Sequence, residues 1–404
     1  MKDAANGASE HDLRSILRIQ ALRAYLYGLG SVVIGSTLAA GGLSDAQVGL
    51  VFTAILAGMA LTSVLVGLFG ERVGRRRAYV ALLLTVGAAG TVFALTLSVP
   101  ALVIAALTGC LSTDPNESGP ITSLETAIIG QAPAAVRLRV FGRYNATAYL
   151  AGAVGALTGA LPGLLDVQEQ RWLLLFPVLA IIAAAIARGL TGGVEARPPD
   201  RAHPGEPVAK APLGRSRPIV VRLASLFALD AFAGGFIVQS FVVFWFGRAF
   251  GASTELMGVV FFVSGLLQAA SSIAASRVAA RFGLLQTMVF THLPSNVLLV
   301  LIPFAPSLGA AIAIWFVRAS LSQMDVPARQ AYVVALVAPG ERVAAAAFTN
   351  TARYTTRPIA PLLAGSLMQV ATAAPFVIAG TLKAAYDLLL FAVFRRVPID
   401  TQRP

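Results

Sequence analysis

Apolar residues run along this chain in stretches of about twenty, separated by short polar connections, with few polar positions inside each stretch. A helix needs about 20 apolar residues to cross the hydrocarbon core of a bilayer. The pattern predicts twelve spans, near 19–41, 46–69, 77–98, 100–128, 140–163, 171–189, 218–246, 255–276, 285–305, 307–335, 343–367 and 374–394. Tight turns join 98 to 100 and 305 to 307. The longest connection, 190–217, is basic, aperiodic and rich in Pro and Gly, so it reads as a linker. The expected organisation is a segment 1–18, a six-helix bundle 19–189, the linker 190–217, a second six-helix bundle 218–394 and a tail 395–404. The fold class is an all-α membrane protein of two six-helix bundles.

Composition agrees. Hydrophobic residues make up 57% of the 404 and charged ones 12%, half of the roughly 25% of an average soluble domain. A cytosolic enzyme, a disordered chain and a disulfide scaffold are excluded. The net charge of +12 sits in connections rather than on a nucleic-acid face. Even-numbered connections and both ends hold Arg72, Arg75, Arg76 and Arg77, then Arg137, Arg139 and Arg143, then Arg197, Arg201, Lys210, Arg215 and Arg217, then Arg277, Arg281, Arg342, Arg395 and Arg396. Odd-numbered connections hold only Arg171 and Arg248. By the positive-inside rule both termini are cytoplasmic. Cys110 is the one cysteine, so no intramolecular disulfide is possible, and the first 15 residues lack the layout of a cleavable signal.

The halves resemble each other. Ala21–Tyr25 recurs as Ala228–Phe232 and Gly119-Pro120 as Val326-Pro327, both at an offset of 207. Arg137 and Asn145 recur as Arg342 and Asn350 at 205, and Arg72-Val73-Gly74 as Arg281-Phe282-Gly283 at 209. A parallel repeat of this kind puts a substrate path at the interface of the halves.

Between spans 2 and 3, Gly67-Leu-Phe-Gly-Glu71-Arg72-Val-Gly74-Arg75-Arg76-Arg77 resembles the Gly-x-x-x-Asp-Arg-x-Gly-Arg-Arg/Lys signature of the major facilitator superfamily, with Glu71 in place of Asp. The twelve spans, linker and half-repeat extend the resemblance to nearly the whole chain. It implies a secondary transporter that alternates its access, with a latch at Gly67, Glu71, Arg72, Gly74, Arg75 and Arg76. In that latch Glu71 pairs with cytoplasmic arginines or a helix N-terminus, and Gly67 lets helices approach closely. Gly152-Ala-Val-Gly155-Ala-Leu-Thr-Gly159-Ala160 in span 5 is similar to the Gly-Pro-x-x-Gly-Gly motif of proton antiporters, with Ala156 for Pro and Ala160 for Gly. Ala360-Pro361-Leu-Leu-Ala364-Gly365 stands at the equivalent place in span 11. Small-residue helix packing is the competing reading.

Ionisable side chains inside spans cost about 2.5–3.5 kcal/mol each on insertion scales, so each is a functional candidate. Asp114, Glu117 and Glu125 in span 4 are spaced to share one helix face, beside helix-opening Pro115, Gly119 and Pro120. Neighbouring desolvated carboxylates favour proton uptake, which makes these three the expected proton carriers; neutralisation by nearby arginines is the alternative. Arg318, Ser322, Asp325 and Arg329 stripe span 10, and Asn350, Arg353 and Arg357 stripe span 11. Arg329 and Arg353 read as an anion clamp or as salt-bridge partners. Arg23 and Asp230, repeat-equivalent on spans 1 and 7, are expected to pair as a cytoplasmic-side gate, closed in one state and broken in the other, with Tyr27 one turn on. Asn116 and Gln268 join Arg23, Tyr27, Asp230, Asp325, Arg329, Arg353 and Arg357 as path residues. Lys383 and Asp387, four apart, are expected to neutralise each other. His292 is expected to be packed, with a proton relay the alternative; Trp172, Trp245 and Arg248 are expected to anchor the interface, and Phe241 and Phe244 to face the cavity.

No Gly-x-x-x-x-Gly-Lys-Ser/Thr phosphate loop and no His/Cys metal cluster is present in the sequence. The expectation is therefore a non-enzymatic transporter without cofactor or metal, monomeric, in the bacterial inner membrane. Its partners are a small-molecule substrate, protons and lipid, and no nucleic acid. Proton-coupled efflux of a small organic compound is the leading reading. Its rivals are proton-coupled uptake of a small anion or metabolite, and a non-transporting sensor or intramembrane enzyme.

Overall fold

The computed structural model describes residues 9–112, 114, 119–129, 134–165, 168–195, 214, 216–337 and 342–397. Among them every regular element is a helix. The first half runs α1 (Glu10–Ala40), α2 (Asp45–Val73), α3 (Arg75–Leu95), α4 (Val99–Leu107), α5 (Pro120–Ile129), α6 (Ala134–Thr158), a turn α7 (Leu161–Leu164) and α8 (Leu175–Arg188). The second runs α9 (Arg217–Gly235), α10 (Gln239–Phe250), α11 (Thr254–Phe282), α12 (Leu284–Leu301), α13 (Leu308–Leu321), α14 (Asp325–Leu336), α15 (Arg342–Thr356), α16 (Ile359–Met368) and α17 (Ala374–Phe394). These are the twelve spans, with four of them in two pieces.

Seven helices among the described residues are long and apolar enough to cross a membrane whole. The predicted continuity fails at spans 4 (α4, α5), 7 (α9, α10), 10 (α13, α14) and 11 (α15, α16). Proline explains much of this, because it lacks an N–H and disfavours helix in the residue before it. Pro120 opens α5 and Pro327 lies in the first turn of α14, so the repeat-equivalent prolines start the second pieces of spans 4 and 10. Pro358 precedes α16. In span 7 the break follows Gly234-Gly235, both poor helix formers. Because span 4 is broken, Asp114 and Glu125 do not share one helix face as their spacing suggested. Asn116 and Glu117 lie outside the described residues.

The half-repeat has a conformational counterpart. Gly74 (φ +94°) separates α2 from α3 and Gly283 (φ +91°) separates α11 from α12, at the 209-residue offset of the sequence match. Both hold a backbone that side-chain-bearing residues rarely adopt.

The chain divides into two compact units, 1–197 with 238–266, and 198–237 with 267–404. The sequence boundary at 218 assigns spans 7 and 8 wholly to the second bundle; here α10 and the first part of α11 pack with the first unit. Close approach explains the attachment. A Cβ on Gly35 of α1 would lie 2.4 Å from the Ser240 carbonyl oxygen, and one on Gly258 of α11 would lie 2.7 Å from that of Ala156. In the second unit Val220, Leu223, Phe227, Met288, Tyr332, Tyr386 and Phe394 build a core from α9, α12, α14 and α17.

Candidate functional site

Among the described residues, each unit buries one principal ionic cluster. In the first, α1 carries Arg23, α3 Tyr79, α5 Glu125 and α6 Tyr144. Arg23 Nη2 donates to Glu125 Oε2 at 2.7 Å, to the Tyr144 hydroxyl at 3.0 Å and to Gln20. Tyr144 donates to Glu125 Oε2 and Tyr79 to Oε1, both at 2.5 Å. Both carboxylate oxygens are thereby occupied, as burial demands, since an unpaired buried charge costs several kcal/mol. Glu125 has no exposed surface and Arg23 3%. The Arg23 guanidinium lies 5.3 Å from the Tyr27 ring centroid, while the Tyr27 hydroxyl donates to the Cys110 carbonyl at 2.8 Å. One cation meets one anion.

The second cluster centres on Asp230 of α9. Lys383 Nζ of α17 donates to Oδ1 at 2.5 Å, and Arg329 Nη1 of α14 donates to Oδ2 at 3.4 Å and to Asp325 at 3.1 Å. Arg353 Nη2 of α15 stands 4.0 Å from Asp230 Oδ2, within Coulombic reach but beyond hydrogen-bond length. Its side chain is 28% exposed, against 9% for Arg329 and 10% for Lys383. Three cations thus surround two carboxylates. Next to this, Asp387 of α17 accepts from Asn296 of α12 at 2.8 Å and contacts His292 Nδ1 at 2.9 Å.

Arg23 and Asp230, expected to pair as a gate in one state and part in the other, each take a partner within their own unit. The pairings revise two other expectations. Lys383 turns to Asp230 rather than to Asp387 one turn on. His292 meets Asp387 and Asn296 at hydrogen-bond distance instead of being a merely packed side chain. The residues that complete the clusters, namely Tyr79, Tyr144, Asn296 and Asp387 as the His292 partner, carry no motif; only helix packing brings them together.

Asp114 has a different task. Its Oδ1 accepts from the Gln239 backbone N–H at 2.9 Å, the first residue of α10, whose own N-cap, Val238, offers no side-chain acceptor. Gln239 Nε2 also donates to Ser31 of α1 at 2.7 Å. A carboxylate from the broken span 4 therefore caps the broken span 7, satisfying an orphan N–H and meeting the positive end of the helix dipole.

The latch region is also rearranged. The side chains of Glu71, Arg137, Arg139 and Arg342 lie outside the described residues. Gly67 faces open space, with nothing within 4 Å of a would-be Cβ. The acid that caps α3 is Glu195, from the start of the expected linker: it accepts from the N–H groups of Arg75 (2.7 Å) and Arg76 (3.3 Å). Arg76 donates to the Leu190 carbonyl at 3.1 Å, while Arg72 is exposed over Phe69. Asp12 of α1 ties the same segment down, accepting from the Thr191 N–H at 2.8 Å and hydroxyl at 2.7 Å.

Gly155 has its would-be Cβ 2.0 Å from the Tyr25 carbonyl oxygen, and Gly28 2.0 Å from that of Gly152. The small-residue pattern of span 5 is thus accounted for by contact of α6 with α1. Phe241 and Phe244 are fully buried, Phe241 edge-on to Phe52, so they fill the core instead of a cavity wall. Trp245 is likewise buried, against Phe246 and Phe250, and is no interfacial anchor. Gln268 is half-buried on α11, and Arg357 half-buried just past the end of α15.

Comparison with known proteins agrees with this architecture. Residues 19–247 match the model of the Major Facilitator Superfamily. The chain belongs to that superfamily, and is a transporter rather than an enzyme. An uncharacterized membrane protein of Saccharomyces cerevisiae is 24% identical over 96% of this chain and 94% of its own. Among solved structures, the nucleoside transporter NupG superposes with a TM-score of 0.72 at 12% identity, covering 95% of this chain and 99% of its own. A D-xylose-proton symporter gives 0.68 at 16%, covering 95% and 98%. A bacterial homologue of the human lysosomal transporter Spinster, in an inward-facing and unoccupied conformation, gives 0.62 at 16%, covering 94% of each.

Proposed function

We propose that this protein is a proton-coupled secondary transporter that takes up a small organic anion by alternating access, with both termini cytoplasmic. The observation that carries this reading is the charge imbalance of the second cluster. Lys383, Arg329 and Arg353 face two carboxylates, Asp230 and Asp325, and with the neighbouring Asp387 neutralised by a protonated His292 one positive charge is in excess. A buried excess charge is costly unless a counter-charge arrives. Arg353, the most exposed of the three and the one without a hydrogen bond to Asp230, is the group best disposed to receive it. A guanidinium offers a carboxylate, sulfonate or phosphate monoester two parallel N–H donors.

Two features that favoured efflux have a simpler origin: the span 5 glycines pack on α1, and Phe241 and Phe244 are core. Coupling to protons is in keeping with the resemblance to a D-xylose-proton symporter. The basic connections support the cytoplasmic placement of both ends.

The test is accumulation of labelled organic anions by proteoliposomes under an imposed pH gradient, acid outside. Accumulation that a protonophore collapses, and that neutral analogues of the same skeleton do not show, is expected. Export of a substrate against the gradient from inside-out vesicles, with no anion uptake, would refute the reading.

A further inference from the structure

The imidazole of His292 sits in a setting built for two protonation states. Its Nδ1 is 2.9 Å from Asp387 Oδ1 and 3.1 Å from Asn296 Nδ2. A protonated Nδ1 donates to the carboxylate; a bare Nδ1 accepts from the amide. His292 is 6% exposed, and Asn296 and Asp387 are fully buried, so no bulk water stands in for either partner. Asn296 donates to Asp387 Oδ2 in either state, and to His292 Nδ1 only when that nitrogen carries no proton.

The second ingredient is Lys383, one turn before Asp387 on α17. Four-residue spacing puts its ammonium within reach of Asp387 by side-chain rotation alone. In the structure it bonds Asp230 of α9 instead. One lysine therefore has two carboxylates available, and the charge on the His292–Asp387 pair decides between them. With His292 protonated, the pair is neutral and Lys383 stays on Asp230. With His292 neutral, Asp387 is an uncompensated buried anion that draws Lys383 away.

We propose that His292, Asp387 and Asn296 form a proton-binding site, and that Lys383 signals its occupancy by exchanging between Asp230 and Asp387. Among the described residues, the other charged or titratable groups near this path include Asp325, Arg329 and Tyr332 of α14, Arg353 of α15 and Tyr386 of α17. Among these, Arg329 already bonds Asp230, and Arg353 is 4.0 Å from it. When Lys383 leaves, Asp230 recruits Arg353 and withdraws it from an incoming anion. When the proton binds, Lys383 returns and Arg353 is released. Proton and anion then bind together, the sign required for symport. That consequence rests on the anion reading above; the lysine exchange itself does not.

The test needs no substrate. The full chain in lipid bilayers, with 15N-lysine and 13C-carboxyl aspartate, is examined by solid-state NMR at about pH 5 and about pH 8. Lys383 is the one lysine inside a span, so its coupling is distinguishable from those of Lys2 and Lys210. The coupled carboxyl should change between the two pH values. In D387E, which keeps the charge and so the fold, the high-pH partner becomes an unlabelled glutamate: that coupling should vanish while the low-pH one remains. H292Q should show the high-pH pattern at both pH values. The same carboxyl at both pH values in the wild type, or an intact high-pH coupling in D387E, would overturn the exchange. Loss of anion transport in R353Q with the exchange intact would separate the two proposals.

Discussion

The two buried clusters stand at related positions in the repeat yet are built on opposite principles. Around Arg23 one guanidinium meets one carboxylate, and two tyrosine hydroxyls and a glutamine complete the shell. Around Asp230, its repeat-equivalent, the central charge is inverted and three cations converge on it, the outermost of them partly exposed. The first arrangement is closed and neutral, and holds four helices of one unit together. The second is more open, and with Asp387 paired to a protonated His292 it carries one positive charge in excess. Duplicated helices need not carry duplicated roles: under the function proposed above, the balanced copy is scaffold and the unbalanced copy the anion site.

The sharpest way to break this comparison is to remove the anion of the closed cluster. E125Q leaves Arg23 buried without a counter-charge and should lower stability by roughly 3–5 kcal/mol, read as a large fall in the thermal midpoint in detergent. The double substitution R23Q/E125Q keeps the hydrogen-bonding capacity and removes both charges, so it should recover most of the loss. If the double variant is as unstable as the single one, the pair is not a self-contained unit.

A smaller effect, and one of a different kind, is expected in the open cluster. R353Q removes the partly exposed cation that hydrogen-bonds no carboxylate in the cluster, so the fold should survive. Anion affinity should fall about 10- to 100-fold, the worth of a hydrogen bond to a charged group. Equilibrium binding of labelled anions measures this; unchanged affinity would place the binding charge elsewhere.

Next comes the α10 cap. D114N weakens the acceptor for the Gln239 N–H and should cost about 0.5–2 kcal/mol, with hydrogen exchange at Gln239 and Ser240 rising first. Exchange unchanged there would mean that Asp114 does not hold the span 7 break.

The smallest effect lies outside the membrane. Burial raises the Asp12 pKa, but hydrogen bonds from Thr191 and Ser9 outweigh it and hold the carboxyl below its ordinary 3.8. A depressed folded-state pKa stabilises the fold above the unfolded value and loses that contribution as pH falls through the folded one. The tie between the start of α1 and Thr191 should therefore persist from neutral pH to about 4 and loosen below. T191V should weaken it by about 1 kcal/mol and flatten the pH dependence, as limited proteolysis after residue 190 would report.

How far the sequence disclosed this molecule varied with the physical range of each interaction. Long apolar runs and glycines at strained turns act locally, so the twelve spans and the Gly74–Gly283 correspondence were legible. The breaks in spans 4 and 10 were foreshadowed by Pro120 and Pro327. Ionic partners were not, because a buried charge takes the nearest complementary group in three dimensions. Arg23 found Glu125, 102 positions away, and Lys383 passed over its helical neighbour Asp387 for Asp230. Glu195 looked like linker because its role, capping α3, exists only once the chain has folded back. His292 showed no motif; its partner comes from a helix 95 positions on.

The central claim is that the balanced cluster is scaffold and the unbalanced one binds the transported anion. The most direct measurement compares R23Q/E125Q with R353Q in one proteoliposome assay, following uptake of permanently charged sulfonates and of carboxylates driven by an acid exterior. The account predicts uptake retained in R23Q/E125Q and lost in R353Q. Uptake lost in R23Q/E125Q and retained in R353Q would contradict it.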